Sequence, residues 1–151
     1  MNIDQAKTVV STILQKNKEA ASNRDFASNI IPYMVSAPGI GKTSVVEELA
    51  EELGWDLITV PLASYDAAEI AGFPIPDKEQ MIYNRATPFW LKATTSRPTI
   101  LFFDELPQAP TPNLNVVAML VNERKLGEHV LPDNVVIVLS LIHISEPTRP
   151  Y

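Results

Sequence analysis

The sequence predicts an α/β fold in which a mainly parallel sheet is covered by helices on both faces. Three observations carry that expectation. Apolar runs of strand length alternate with amphipathic helical patterns, the arrangement that builds a parallel sheet through crossover helices. A glycine-rich segment, Ser36-Ala37-Pro38-Gly39-Ile40-Gly41-Lys42-Thr43-Ser44, lies between the first strand and the helix after it. A later apolar strand runs straight into two adjacent acids, Asp104 and Glu105.

Taken in order, residues 3–16 place Ile3, Ala6, Val9, Val10, Ile13 and Leu14 at helical spacing, ahead of a polar stretch from Lys16 to Asp25. A packing helix leading into the domain accounts for this better than a membrane or partner helix. Ile30 to Val35 is the first strand, with regular pairing from Tyr33 because Pro32 donates no ladder bond. A helix follows over about 43–53, with Gly54 as its C′ residue and Glu47, Glu48, Glu51 and Glu52 on a solvated outer face. Leu57 to Val60 reads as a second strand closed by Pro61. Residues 62–87 lack periodicity and hold Gly72, Pro74 and Pro76; a short hairpin near 81–85 fits them. Pro88 to Thr94 suits a short helix with Phe89, Trp90 and Leu91 facing the core. Thr99 to Phe103 is the third strand. A helix over 111–122 follows, with Thr111 as N-cap, Pro112 at its first position and Leu114, Val117, Ala118 and Val121 on one face. Gly127 and Pro132 punctuate a hairpin-like segment before a fourth strand, Val135 to Val138.

At 151 residues, 46% hydrophobic and 20% charged, the chain is long enough for one domain with a real core. It has no run of apolar residues long enough to span a bilayer and no signal-peptide pattern, so a membrane is not an expected partner. Cysteine is absent, which excludes disulfides and thiolate chemistry and fits the cytoplasm. A net charge of −6 weighs against a broad nucleic-acid surface.

The chemistry lies in the glycine-rich segment and the acidic pair. A strand, a glycine-rich loop and a helix N-terminus form a cradle of N–H groups for phosphates. In that arrangement Pro38, Gly39, Ile40, Gly41, Lys42, Thr43 and Ser44 bind a nucleoside triphosphate, Lys42 reaches the β/γ-phosphates and Thr43 offers a hydroxyl to Mg²⁺. Asp104 takes the metal role and Glu105 the general-base role on the attacking water. Acidic helix capping is the alternative for either acid alone. Ser36 departs from the pattern G-x-x-x-x-G-K-T, which has Gly there. The cost is on the order of 1 kcal/mol at positive φ and small if the backbone is extended. His129 is read as a structural or solvated side chain rather than a ligand.

Ala37 to Thr43 together with Leu101 to Leu106 resembles the AAA+ ATPases, a P-loop NTPase family. Ala71-Gly72-Phe73-Pro74, Pro88-Phe89-Trp90-Leu91, Asp104 to Ala109 and the later Glu123-Arg124 are similar to the MoxR-like, dynein-related subgroup. The resemblance covers residues 30–138, with residues 1–29 as an N-terminal helix and linker. It implies a three-layer sandwich with sheet order 5-1-4-3-2, a helical lid, ATP and Mg²⁺ as ligands, and a homo-oligomeric ring, usually a hexamer, that remodels proteins or complexes. Residues 62–87 would face the ring pore, with Phe73 or Tyr65 either gripping substrate or buried locally.

The segment from Leu139 to Arg149 resembles, residue for residue, the translation of a transposase-type sequencing adapter. Native sequence is therefore expected to end near Val138, with 139–151 a non-native tail in which His143 has no role. The γ-phosphate sensor, strand 5, the lid and the arginine finger would then be missing; a finger alone is worth about 10³ to 10⁵ in rate. The polypeptide as written is expected to bind nucleotide weakly, hydrolyse it hardly at all and aggregate through the open edge of its first strand. Two rival readings are a nucleic-acid-directed AAA+ ATPase of the helicase-loader type and a non-enzymatic nucleotide-dependent assembly module. The acidic charge counts against the first, and Glu105 against the second.

Overall fold

Two strands buried on both faces, with successive side chains pointing to opposite sides, set the layers of the molecule. The computed structural model describes residues 3–22, 31, 33–36, 42–92 and 96–142. In chain order these form α1 (Ile3–Ser22), β1 (Tyr33–Ser36), α2 (Lys42–Leu53), β2 (Asp56–Pro61), α3 (Ala67–Ala71), β3 (Pro74–Asp77), β4 (Ile82–Arg85) and α4 (Phe89–Lys92). Then come β5 (Thr99–Asp104), α5 (Thr111–Glu123), β6 (Lys125–Leu126), β7 (His129–Val130) and β8 (Val135–Ile142).

The main sheet has the order β1-β8-β5-β2, all parallel. In order of their place in the chain these strands read 1-4-3-2, matching four of the five positions expected. Leu101 and Phe103 of β5 join Val135, Ile137 and Leu139 of β8 in one cluster with Ile70, Trp90, Val116, Val117 and Leu120. Ile100, Phe102, Val136 and Val138 point the other way, onto Val10, Leu14, Val45, Val46 and Leu49. Helices α3 to α5 thus cover one face, and α1 with α2 covers the other. The crossover rule explains the division. The chain steps from β1 to β2 in one direction and returns through β5 to β8 in the other, so right-handed crossovers put α2 opposite α3, α4 and α5. Each fully buried Leu, Ile, Val or Phe contributes about 1.5–3 kcal/mol, which makes these two faces the main source of stability.

Several expectations need correction. The first helix does not end near Lys16 but runs to Ser22, because Asn17 is buried rather than solvated. Val9, expected on its apolar face, is exposed. The acidic face of α2 is exposed as expected, yet it is also a docking surface: Lys7 Nζ donates to Glu52 at 2.7 Å and Glu48 at 3.0 Å. Residues 62–87 are not irregular throughout, since they contain α3 and the β3–β4 hairpin. Phe89 is exposed; only Trp90 of its helix is fully buried. Thr111 is the first residue of α5 and not its cap. Pro110 flanks the helix, its C=O accepts from the Asn113 N–H at 2.9 Å, and no side chain caps the end. The buried face of α5 is Asn113, Val116, Val117 and Leu120, with Ala118 exposed. The fourth parallel strand continues past Val138 to Ile142, because residues 139–142 are the ones that pair with β1. Residues 143–151, with His143, lie outside the described residues. Among the described residues no helix is long and apolar enough to cross a membrane.

The C-terminal end of α5 is fastened to β8 by one side chain. Arg124 takes a left-handed conformation (φ 54°), and its guanidinium donates to the C=O groups of Pro132 (3.0 Å) and Val135 (2.8 Å). Burial pushes this guanidinium below its ordinary value, while Asp133 acts in the opposite sense.

Candidate functional site

Parallel strands end together, so the sheet has one C-terminal edge where successive turns converge. Tyr33 of β1 is level with Leu139 of β8, and Leu139 is level with Phe103 of β5. Ser36, the last residue of β1, and Asp104, the last of β5, therefore leave the sheet at the same edge with only β8 between them. Strand alternation gives Asp104 the same face as Ile100 and Phe102, the face covered by α2. Helix α2 begins at Lys42 and is the next element after β1. Asp104 is thus placed at the C-terminal edge of the sheet, on the face that α2 covers.

Of the predicted loop, Pro38, Gly39, Ile40 and Gly41 lie outside the described residues. Lys42, Thr43 and Ser44 form the first turn of α2, the helix end whose N–H groups lack intrahelical partners. The departure at Ser36 is the inexpensive kind. Ser36 is paired β-strand, opposite Ile142, so the backbone there needs no glycine.

The acidic pair is held by its own backbone. Glu105 adopts φ 62° and ψ 36°, a left-handed conformation that costs a non-glycine residue about 1–2 kcal/mol. Its N–H turns back and donates to Asp104 Oδ1 at 2.8 Å. The chain then enters a short 3-10 turn, Leu106–Gln108, in which Leu106 is buried. Asp104 and Glu105 are both half-buried. Leu106, on the apolar cluster below, fixes where the turn starts, and the left-handed residue above it carries the second carboxylate.

The segment after β2 is tied to the same corner. Asn113, buried at the start of α5, donates through Nδ2 to the C=O of Leu62 (2.8 Å) and of Tyr65 (2.7 Å). Tyr65 stacks on Phe89 with ring centroids 4.9 Å apart. Trp90 donates to the Ile70 C=O at 2.7 Å and meets Phe103 edge-on. Asn113 was not visible as a site residue in the sequence; its only signal is a polar residue on an otherwise apolar helix face. Phe73 is 57% exposed, which removes local burial as its role, whereas Tyr65 is half-buried. His129 is structural, its Nε2–H donating to the Arg85 C=O at 3.0 Å.

A family model described as "ATPase family associated with various cellular activities (AAA)" matches residues 32–140. No curated protein matches the sequence. Among solved structures, a RuvB mutant from Thermotoga maritima is similar with a TM-score of 0.61 at 14% identity, over 95% of this chain and 40% of that one. A second mutant of the same protein gives 0.59 at 14%, over 94% and 40%. NtrX from Brucella abortus gives 0.52 at 19%, over 89% and 30%. The chain thus spans 30% to 40% of the length of these three solved proteins, and at these identities the likeness is one of fold.

Proposed function

The chain belongs to the AAA family of ATPases, and on that premise we propose that it is the nucleotide-binding part of a longer enzyme that binds ATP with Mg²⁺ and hydrolyses it, with little turnover by this chain alone. Backbone N–H groups of Pro38 to Ser44 (Pro38 itself excepted) and the N-terminus of α2 receive the phosphates, and Lys42 offsets charge on the β/γ oxygens. The Thr43 hydroxyl and the Asp104 carboxylate hold Mg²⁺, which supplies charge neutralisation on the phosphates. This donor set suits the ion. Magnesium bound together with phosphates needs only one or two protein oxygens, and no cluster of three or more metal-binding side chains occurs among the described residues. Glu105 takes the proton of the attacking water. What supports the reading most is the strand register and packing, which put Asp104 on the α2-covered face at the C-terminal edge of the sheet.

On the same reading the chain is the nucleotide-binding core, residues 30–138, of a cytoplasmic, ring-forming, MoxR-like ATPase that remodels proteins or complexes. The exposed Phe73 favours a substrate-gripping role for that side chain over Tyr65, which is engaged with Phe89.

Binding of a fluorescent ATP analogue and single-turnover hydrolysis, both with Mg²⁺ and excess protein, test the assignment. Lys42→Ala should weaken binding at least tenfold, and Asp104→Ala should abolish its Mg²⁺ dependence. Unchanged binding in Lys42→Ala would overturn the proposal.

A further inference from the structure

We propose that Glu128 and His129 form a clasp that makes the projecting β3–β4 hairpin move as one body with α5. The inference does not rest on the nucleotide reading and can be tested without nucleotide.

The hairpin's own hydrogen-bond parity creates the handle. The Ala86 N–H donates to the Phe73 C=O at 2.8 Å. Alternation along an antiparallel pair then makes Ile75 with Asn84 and Asp77 with Ile82 the bonded pairs, and Pro74 with Arg85 and Pro76 with Tyr83 the non-bonded ones. Two consequences follow from this register. Both prolines fall where a main-chain N–H would point outward, so neither removes a ladder bond. Arg85, opposite Pro74, turns its own N–H and C=O away from β3, out of the other edge.

Both outward groups of Arg85 are taken by the second hairpin. Its N–H donates to Glu128 Oε1 at 3.1 Å, and its C=O accepts from His129 Nε2–H at 3.0 Å. The two clasping side chains lie 3.8 Å apart, and a Cβ added at the turn residue Gly127 would meet the Arg85 side chain at 3.6 Å. A peptide unit held from both sides by adjacent residues is what a neighbouring strand would normally provide.

The two hairpins are anchored very differently. β6–β7 is built onto α5 and the core: the Leu131 N–H donates to the Arg124 C=O at 2.8 Å, and Leu126 and Leu131 are buried. β3–β4 stands out from the body, with Ile75, Met81, Ile82 and Tyr83 all exposed. Beneath Arg85 a cavity of about 320 Å³, lined by Ala68, Ala71, Val116, Met119 and Leu126, separates the hairpin's base from α3 and α5. Packing over that cavity leaves the Arg85 edge of the hairpin unsupported from below, and the clasp is a direct hydrogen-bonded tie from that edge through β6–β7 to α5. Helix α5 is itself tied at its start, through Asn113, to the carbonyls of Leu62 and Tyr65.

The chain has no cysteine, so spin labels can be introduced at chosen sites alone. With Glu79→Cys at the hairpin turn and Glu123→Cys on α5, both exposed, pulsed electron–electron resonance should give one narrow distance distribution. Adding Glu128→Ala and His129→Ala should broaden it at least twofold and speed amide exchange at Arg85 at least tenfold, with exchange in β5 unchanged. Glu128→Gln with His129→Gln keeps an acceptor and a donor and should restore both readings toward the parent. Should the alanine pair fail to fold, that glutamine pair still decides. An unchanged distribution in the alanine variant, or a glutamine variant as broad as a fully released hairpin, would overturn the clasp.

Discussion

The main-chain N–H of Glu105 is bonded to the carboxylate of Asp104 at 2.8 Å, so the two acids are set by one strained peptide rather than by separate packing. Backbone strain and chemistry can be separated there. Glu105→Gln keeps the peptide bond and its conformation, and stability should stay within about 0.5 kcal/mol. In the full-length enzyme, single-turnover hydrolysis should fall by about 10² to 10⁴, the usual worth of a general base. Glu105→Gly should be equally inactive yet more stable, by about 0.5–1 kcal/mol, through relief of the left-handed conformation. Urea denaturation beside the kinetic assay checks both.

Asn113 offers a second test. Its Nδ2 serves the carbonyls of Leu62 and Tyr65, the former fully buried. Asn113→Ala leaves both without their donor and should cost about 2–3 kcal/mol. Asn113→Asp should cost more, because an ionised carboxylate brings acceptors to two existing acceptors. Chemical denaturation measures both, and near-ultraviolet circular dichroism should report loosening of the Tyr65–Phe89 stack.

Gly72 and Gly54 form a matched pair. Both have positive φ, 92° and 70°. A Cβ at Gly72 would lie 2.0 Å from the Ala86 carbonyl oxygen, whereas one at Gly54 would meet nothing within 4 Å. Gly54→Ala should therefore cost only the conformational penalty, about 1–2 kcal/mol. Gly72→Ala adds an overlap with backbone that cannot rotate away, and should cost at least about 3 kcal/mol while opening the base of the β3–β4 hairpin. Equal losses in a denaturant titration would show that the hairpin's base yields freely.

Lys7 links α1 to α2. Its hydrogen bond to Glu52, then that to Glu48, pushes it up to about 12 from 10.5. A raised value means that the contribution is complete below pH 10.5 and is lost as pH rises through 12. The Tm difference between the parent and Lys7→Met should be constant from neutral pH to about pH 10 and vanish above 12. Because the two carboxylates are 58% and 60% exposed, the difference should also shrink in molar salt.

Ser140 is buried on β8, and its hydroxyl has no partner among the described residues. Ser140→Ala removes that desolvated group and should stabilise the protein by about 1 kcal/mol, read as a shift in denaturation midpoint.

The sheet was legible in the sequence because its strands obey a local rule. Leu101-Phe102-Phe103 followed by Asp104 needs no context to be read as a buried strand meeting a solvated turn. The family follows from this strand and the Lys42 segment together. Residues 62–87 were less legible for a physical reason. Helix α3 spans Ala67 to Ala71, too few residues to show a period, and it forms because Ile70 is buried under Trp90 from farther along the chain. Asn113 and Ala118 exchanged places for a related reason. Two carbonyls at the turn after β2 demand a donor, so a polar residue goes inside and a small apolar one stays out. Phe89 and Trp90 show no difference in hydrophobicity that would tell which is buried; Phe103 and the Ile70 carbonyl decide it.

The pairing of β1 with β8 also governs when this protein can fold. Tyr33 finds its neighbour in Leu139, and at roughly 5–20 residues per second of synthesis a partner about a hundred residues away arrives on the order of 5–20 s later. Helix α2 waits as well, since Ile100, Phe102, Val136 and Val138, the side chains it rests on, all come after it. Such long-range closure is slow even once the chain is complete. Helix α2 is therefore among the last parts to settle, and until β8 emerges from the ribosome the growing chain holds its earliest strand without a home.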